Sequence, residues 1–238
     1  MKFHFIGTSH GVPEKNRKCT CTMIEVSGNY YFLDMGTSAN DYLVTEGLDI
    51  NQVKAVFISH MHGDHTDGLI QFVDLINWHD TECNPQIYLP DIAAAKVIDD
   101  WLRVTLCNMR TTDYREIVSG EIFDDGFLKV TAIPTKHCVN SYAYLFEAEG
   151  KKVIFTGDLC RPEVDFPELA KEIETDFICG ECAHFDATKY YPYLKECNTK
   201  AFYIHHYSPK RMPSIPELAA QLAPLPVLTV QDGNIIEI

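Results

Sequence analysis

The sequence predicts an α+β protein in which two sheets pack face to face and helices cover their outer faces. Three observations lead to this class. Short apolar segments rich in β-branched and aromatic residues alternate with turn residues along the chain. Segments with apolar residues three and four positions apart, typical of helices, stand between them. Strands precede helices in two similar halves, an order that suits two packed sheets with helices outside.

The composition indicates one ordinary globular domain that spans residues 1–238. Of these residues 46% are apolar and 23% are charged, and no internal repeat, low-complexity tract or linker divides them. Neither a signal peptide nor an apolar run long enough to span a bilayer is evident. Nine cysteines without a disulfide rhythm indicate reduced thiols. The sequence therefore predicts a cytoplasmic protein.

Ten strand segments are predicted along the chain. The fourth of them is apolar and β-branched, which suits a buried central strand. The sequences SGN, EAEGKK and QDGN carry the residues of hairpin turns. The predicted segments are residues 2–7, 20–26, 29–36, 53–60, 86–90, 121–135, 141–158, 176–181, 200–208 and 227–238.

Four helical segments are predicted between these strands. The first two are long and have a clear apolar face, whereas the last two are shorter. Asp67 is expected to cap the first helix, because its side chain can accept a hydrogen bond from a free backbone N–H. The segments are residues 67–80, 91–104, 168–174 and 214–224.

The segment ISHMHGDHTDGL concentrates His60, His62, Asp64 and His65 directly after the predicted central strand. Gly63 lets the backbone turn sharply there. Histidines at i and i+2 of extended backbone point the same way, so His60 and His62 can reach one ion. Asp64 and His65, beyond the turn, can face the same ion or a second one. Imidazole and carboxylate groups suit Zn²⁺, Fe²⁺ or Mn²⁺.

This spacing resembles the H-x-H-x-D-H motif of the metallo-β-lactamase fold. The resemblance implies a four-layer αβ/βα sandwich of the metallo-β-lactamase type with two metals between its sheets. Further ligands of that family match His137 in AIPTKHCVNSYAY, Asp158 in VIFTGDL and His206 in FYIHHYS, where we prefer His206 to His205. The resemblance implies that Asp158 bridges the two metals. Its two implied ligand groups are His60, His62 and His137 for one metal, and Asp64, His65 and His206 for the other.

Flanking sequences narrow the resemblance to the phosphodiesterase branch, which includes ribonuclease Z and the cyclic-phosphate phosphodiesterases. They are FIGTSHGVP, NYYFLDMG, P-x-K-H followed by SYAY, and IHHYSP. The segment ECAHF partly matches a ribonuclease Z segment, H-E-A-T-F, that serves proton transfer, but its histidine stands at His184. In the cleft His184 could protonate a leaving oxygen or hold a phosphate, and a structural histidine is the equal alternative. The predicted catalytic residues are Asp64, which orients the water, and His184.

The charge of the chain argues against long nucleic acid as the substrate. The net charge is −14, and the basic clusters at residues 15–18, 151–152 and 210–211 are small and far apart. Nucleic-acid affinity depends on cations that displace phosphate counterions. The long Gly/Pro-rich arm with which ribonuclease Z grips tRNA has no counterpart between the motifs.

The sequence therefore predicts a phosphodiesterase with two divalent ions, Zn²⁺ foremost and Mn²⁺ or Fe²⁺ as alternatives. A metal-bound hydroxide is expected to attack a small or cyclic phosphodiester. The alternatives are a ribonuclease Z-like tRNA 3′-processing endonuclease, a hydrolase of carbonyl esters, lactones or thioesters, and a non-catalytic metal-binding module. No membrane partner is expected, and a homodimer is left open.

Overall fold

Alternating side chains along the central strand divide the interior into separate apolar cores. The computed structural model describes residues 1–105 and 110–238. In strand β4 (Val53–Phe57) the side chains of Ala55 and Phe57 enter one core, whereas that of Val56, between them, enters another. Successive residues of a strand point to opposite faces, so a strand that is apolar throughout is buried on both faces.

Seven strands form the first sheet. Their order across it is β16 (Ile235–Glu237), β1 (Lys2–Gly7), β2 (Cys21–Val26), β3 (Asn29–Met35), β4, β5 (Gln86–Leu89) and β6 (Asp113–Glu116). The strands β16, β1, β2 and β3 pair antiparallel, and β3, β4, β5 and β6 pair parallel. The predicted turn between β2 and β3 is confirmed, with Gly28 at a φ of 80°.

The second sheet repeats this half-antiparallel, half-parallel design. Its order is β15 (Val227–Thr229), β14 (Phe202–Tyr207), β12 (Phe177–Cys182), β10 (Lys151–Phe155), β9 (Tyr142–Ala148), β8 (Lys129–Pro134) and β7 (Gly120–Asp124). The strands β7 to β10 pair antiparallel, and β10, β12, β14 and β15 pair parallel. Two short strands, β11 (Glu174–Thr175) and β13 (Asn198–Thr199), form a separate parallel pair.

Helices cover the outer face of each sheet. Leu43, Phe72 and Ile98 belong to the core outside the first sheet, and Leu194 and Leu218 belong to the core outside the second. No helix in the described part of the chain is long and apolar enough to cross a membrane. The helices are α1 (Ala39–Thr45), α2 (Gly63–Trp78) and α3 (Ala93–Val104) on the first sheet, then α4 (Pro162–Asp165), α5 (Leu169–Glu172), α6 (Tyr191–Leu194) and α7 (Ser214–Leu222).

A third core, rich in aromatic side chains, fills the space between the two sheets. Phe3 of β1 packs against Phe155 of β10 and Phe177 of β12, with ring centroids 5.6 and 4.9 Å apart. Three apolar cores separate four layers, so the predicted four-layer αβ/βα sandwich is confirmed.

Three local predictions are wrong. The QDGN segment is not a hairpin turn, because β15 belongs to the second sheet and β16 to the first. The predicted strand 121–135 is two strands, since the chain turns at Gly126, where φ is 85°. Asp67 is not a cap, because α2 already begins at Gly63 with His62 as its N-cap. The helix α1 and the strand β6 were not predicted, because both are short and carry polar residues.

Phe57→Ala should strongly destabilise the fold, because Phe57 is fully buried and its ring lies 5.1 Å from Tyr88 and 5.5 Å from Phe123. We expect the free energy of unfolding, measured by urea denaturation, to fall by about 3–5 kcal/mol. Phe127→Ala is the control, since Phe127 is 52% exposed; its effect should stay within about 0.5 kcal/mol. Equal losses in both variants would contradict this account of the core.

Candidate metal centre

Loops at one edge of the two sheets bring the predicted site residues together. His60 and His62 follow β4, and the first turn of α2 contributes Asp64 and His65. His137 lies between β8 and β9, Asp158 and His184 follow β10 and β12, and His206 lies near the end of β14. Parallel strands in one sheet have their carboxyl ends at the same edge, so residues far apart in sequence meet there.

Three imidazole rings form the first group. The His60 Nε2 atom lies 2.9 Å from His62 Nδ1, which lies 3.3 Å from His137 Nε2. Ligand atoms of all three residues lie within 4.8 Å of one another. The same-side placement of His60 and His62, expected from extended backbone, is therefore what the structure shows.

Two histidines and one aspartate form the second group. Asp64 Oδ2 lies 3.5 Å from His65 Nε2 and 3.7 Å from His206 Nε2. Their ligand atoms also lie within 4.8 Å of one another. The two groups coincide with the two ligand sets that the family resemblance implies, and their role as ligands stays a prediction.

Asp158 lies between the two groups. It is 4% exposed, and its Oδ2 atom lies 3.8 Å from His60 Nε2 and 3.7 Å from His137 Nε2 on one side. On the other side it lies 3.6 Å from His65 Nε2 and 3.3 Å from His206 Nε2. One carboxylate oxygen can thus reach a cation held by either group.

The residues present fit divalent cations. His65 Nε2 is buried and has no hydrogen-bond partner among the described residues, although it faces Asp64 and Asp158. A buried polar atom without a partner is costly, and such atoms are rare in folded proteins. A cation between these groups would satisfy the lone pair, and a set of imidazole nitrogens and carboxylate oxygens suits Zn²⁺ or a related ion.

The electrostatics of the cluster favour neutral rings at His60 and His137 beside the ionised carboxylate of Asp158. Burial lowers the pKa of His60 to about 2 and also lowers that of His137. Burial would raise the pKa of Asp158, but His206 and His65 hold it well below its usual range. Neutral imidazole and ionised carboxylate are the forms that bind metal.

Asp34 forms a hydrogen bond with Nδ1 of His65, a contact that was not predicted from the sequence. At the end of β3, its Oδ2 atom lies 2.8 Å from His65 Nδ1, and its two oxygens accept from the Ser59 N–H and hydroxyl. Burial would lower the pKa of His65, but Asp34 and Asp158 raise it well above its usual value. Asp34 therefore turns Nε2 of His65 toward the cluster. The sequence signal for this role is the segment NYYFLDMG, which contains Asp34 and resembles the same family.

His184 lies at the rim of the cluster and is paired with Glu181, a second residue whose role the sequence did not predict. Glu181 is fully buried, and its Oε1 atom lies 2.9 Å from His184 Nδ1. This hydrogen bond raises the pKa of His184 to about 9. The side chain of His184 is 39% exposed, and its Nδ1 atom lies 3.8 Å from Asp158 Oδ2. His184 can therefore meet a ligand at the mouth of the site.

A β-bulge separates the two adjacent histidines of β14. Gly180 pairs with Ile204, but Cys182 pairs with Tyr207, so β14 carries one extra residue. His206 turns to the cluster, while His205 packs between Phe5 and Phe155, where burial lowers its pKa to about 3. The structure thus places His206, and not His205, at the site. Simple strand alternation does not predict such a bulge.

Comparison with solved structures identifies the fold. Human tRNase Z, short form (ELAC1), superposes with a TM-score of 0.80 at 19% identity, over 100% of this chain and 99% of that chain. The metallo-β-lactamase fold protein YhfI from Bacillus subtilis superposes with a TM-score of 0.79 at 18% identity, over 99% of both chains. The chain has the metallo-β-lactamase fold. A family described as "Anti-Pycsar protein Apyc1" matches residues 1–214, and the chain belongs to this family.

Curated relatives support the ribonuclease Z resemblance. Ribonuclease Z from Shouchella clausii is 32% identical over 155 residues, which cover 63% of this chain and 49% of that protein. The match therefore spans about half the length of this relative. The resemblance to the ribonuclease Z-like branch of the metallo-β-lactamase fold is confirmed.

Asp34→Asn should weaken metal binding, because the amide can present an N–H to His65 Nδ1 and disturb the ring's tautomer. Loss of such a partner typically lowers metal affinity about 10- to 100-fold. Zn²⁺ affinity measured by competition with a chelator checks this expectation. Asp41→Asn removes the same charge from an exposed position of α1 and should bind Zn²⁺ normally. Unchanged affinity in Asp34→Asn would remove Asp34 from the support of the site.

Proposed function

We propose that the chain is a two-metal hydrolase that cleaves a small or cyclic phosphodiester, in one domain spanning residues 1–238. The observation that carries this proposal is the position of Asp158 Oδ2 between two groups of imidazole and carboxylate ligands. Such an arrangement suits two neighbouring cations with one shared ligand. Two-metal sites of this kind recur in phosphatases and nucleases.

The ligand assignment follows the two groups. Asp158 would be the ligand that the two ions share, and the ions would be divalent, with Zn²⁺ foremost and Mn²⁺ or Fe²⁺ as alternatives. When bound, such ions lower the pKa of a water molecule and neutralise charge on phosphoryl oxygens. The proposed ligands are His60, His62 and His137 for one ion, and Asp64, His65 and His206 for the other.

The chain's own residues orient the reactants and move the proton. Asp64 accepts a hydrogen bond from the attacking water and so aims it at phosphorus. Glu181 accepts a hydrogen bond from Nδ1 of His184 and favours the charged ring. His184 then donates the proton on Nε2 to the leaving oxygen as the phosphorus–oxygen bond breaks, which removes the cost of expelling an alkoxide.

The charge of the protein favours a small substrate. A net charge of −14 repels a long anionic polymer before it can reach the site. A small phosphodiester with one negative charge meets less repulsion, and the exposed rings of His62 and His184 line its approach. Electrostatics therefore supports a small or cyclic phosphodiester over a tRNA.

A ribonuclease Z-like endonuclease is the second candidate. The 32% identity to the ribonuclease Z of Shouchella clausii favours it, although that match spans 49% of the relative. RNA recognition would need a surface that neutralises several phosphates. RNA binding that weakens steeply as salt rises, together with cleavage of a precursor tRNA at its 3′ end, would favour this candidate.

Zn²⁺-loaded protein should hydrolyse bis(p-nitrophenyl) phosphate and cyclic phosphodiesters in preference to precursor tRNA, a lactone or a thioester. Asp158→Ala should lose bound metal and phosphodiester turnover together, because the proposed bridging oxygen is gone. Asp41→Ala, at an exposed position, should keep both. Turnover of the lactone or thioester without any phosphodiester cleavage would contradict the proposed reaction, and a fully active Asp158→Ala would contradict the bridging role.

His184→Ala should lower phosphodiester turnover about 10²- to 10⁴-fold, because general acid–base groups typically contribute this factor. Bound metal, measured by elemental analysis, should stay at the wild-type level. His79→Ala is the matched control, since the His79 side chain is 62% exposed at the far end of α2. An unchanged rate in His184→Ala would assign His184 a structural role.

A further inference from the structure

The last ligand of the proposed site has a strained backbone. His206 lies in the β-bulge of β14 with a φ of 47°. Left-handed backbone is unfavourable for a residue with a Cβ, and it persists only where the surroundings enforce it. The Nδ1 atom of His206 lies 2.9 Å from the Ser9 carbonyl oxygen, which fixes the ring but does not fix the backbone.

Tyr207, which follows His206, is contacted by the loop between β1 and β2. Arg17 Nη2 donates to the Tyr207 carbonyl oxygen at 2.5 Å. The guanidinium carbon of Arg17 lies 3.9 Å from the centroid of the Tyr207 ring. Ser9 forms a parallel bridge with the same residue. Arg17 therefore contacts both the backbone and the ring of the residue next to the strained ligand.

The environment of Arg17 argues for more than a structural role. Its side chain is only 10% exposed, and its Nε and Nη1 atoms have no hydrogen-bond partner in the described ranges 1–105 and 110–238. It is paired with Glu14, which also accepts from the Ser9 hydroxyl. Burying a guanidinium with unpaired donors is unfavourable, so stability alone would favour an apolar residue here.

We propose that Arg17 is a positioning residue for His206. By contacting both the carbonyl oxygen and the ring of Tyr207, Arg17 keeps the neighbouring His206 in the left-handed conformation. The Nε2 atom of His206 then lies 3.7 Å from Asp64 Oδ2 and 3.3 Å from Asp158 Oδ2. This inference rests on the proposed function, because it takes His206 as a metal ligand.

Arg17→Ala should weaken the binding of one of two Zn²⁺ ions about 10- to 100-fold and leave the other unchanged. The loss of a group that orients a ligand typically has an effect of this size. Chelator competition with Zn²⁺ alone, followed by elemental analysis, measures the two affinities without any assay of activity. Arg17→Lys should also lose affinity, because an ammonium group cannot stack on Tyr207 while it holds the carbonyl oxygen.

Lys15→Ala is the matched control, since it removes an exposed positive charge from the same loop and should bind both ions normally. Near-UV circular dichroism checks the fold, and Arg17→Met, which keeps the apolar stem beside Tyr207, replaces the alanine variant if that variant unfolds. Wild-type affinity in the Arg17 variants, or an equal loss in Lys15→Ala, would overturn the positioning role. His206→Ala separates the two proposals: if it keeps both ions, the proposed ligand set fails whatever Arg17 does.

Discussion

The Asp158 carboxylate is buried among imidazole rings at the edge where the two sheets meet, and the rest of the site is arranged around it. Its Oδ2 atom has four proposed ligand nitrogens within 3.8 Å. Burying so many polar atoms together is unfavourable unless each finds a partner. The apolar cores hold the loops that carry these atoms in fixed positions, and a cation would supply the partner that His65 Nε2 lacks among the described residues.

Three histidines of the site share one mode of support. The Nδ1 atom of each ring has an oxygen partner: Asp34 for His65, Glu181 for His184 and the Ser9 carbonyl for His206. Each contact fixes the orientation of its ring and turns the other nitrogen away from that partner. Because the partners come from β3, β12 and the loop after β1, the site draws on both sheets.

The distribution of charge reconciles an acidic protein with an anionic substrate. The net charge of −14 describes the whole chain, whereas the environment of the site is set by groups within a few ångströms. There the proposed cations would add positive charge beside the carboxylates, and the hydrogen bond that His184 donates to Glu181 favours the charged form of His184. A phosphodiester small enough to enter would be governed by these local groups more than by the outer surface.

The sequence by itself predicted two packed sheets from local strand patterns, and the dense spacing around Gly63 singled out His60, His62, Asp64 and His65. The further site residues His137, Asp158 and His206 followed only from the family resemblance. The sequence could not predict that β15 and β16 belong to different sheets, since QDGN suits a hairpin equally well. It also gave no role to Asp34, Glu181 or Arg17. Only the tertiary structure decided these, because each acts through contacts between residues that become neighbours when the strands pair and the loops pack.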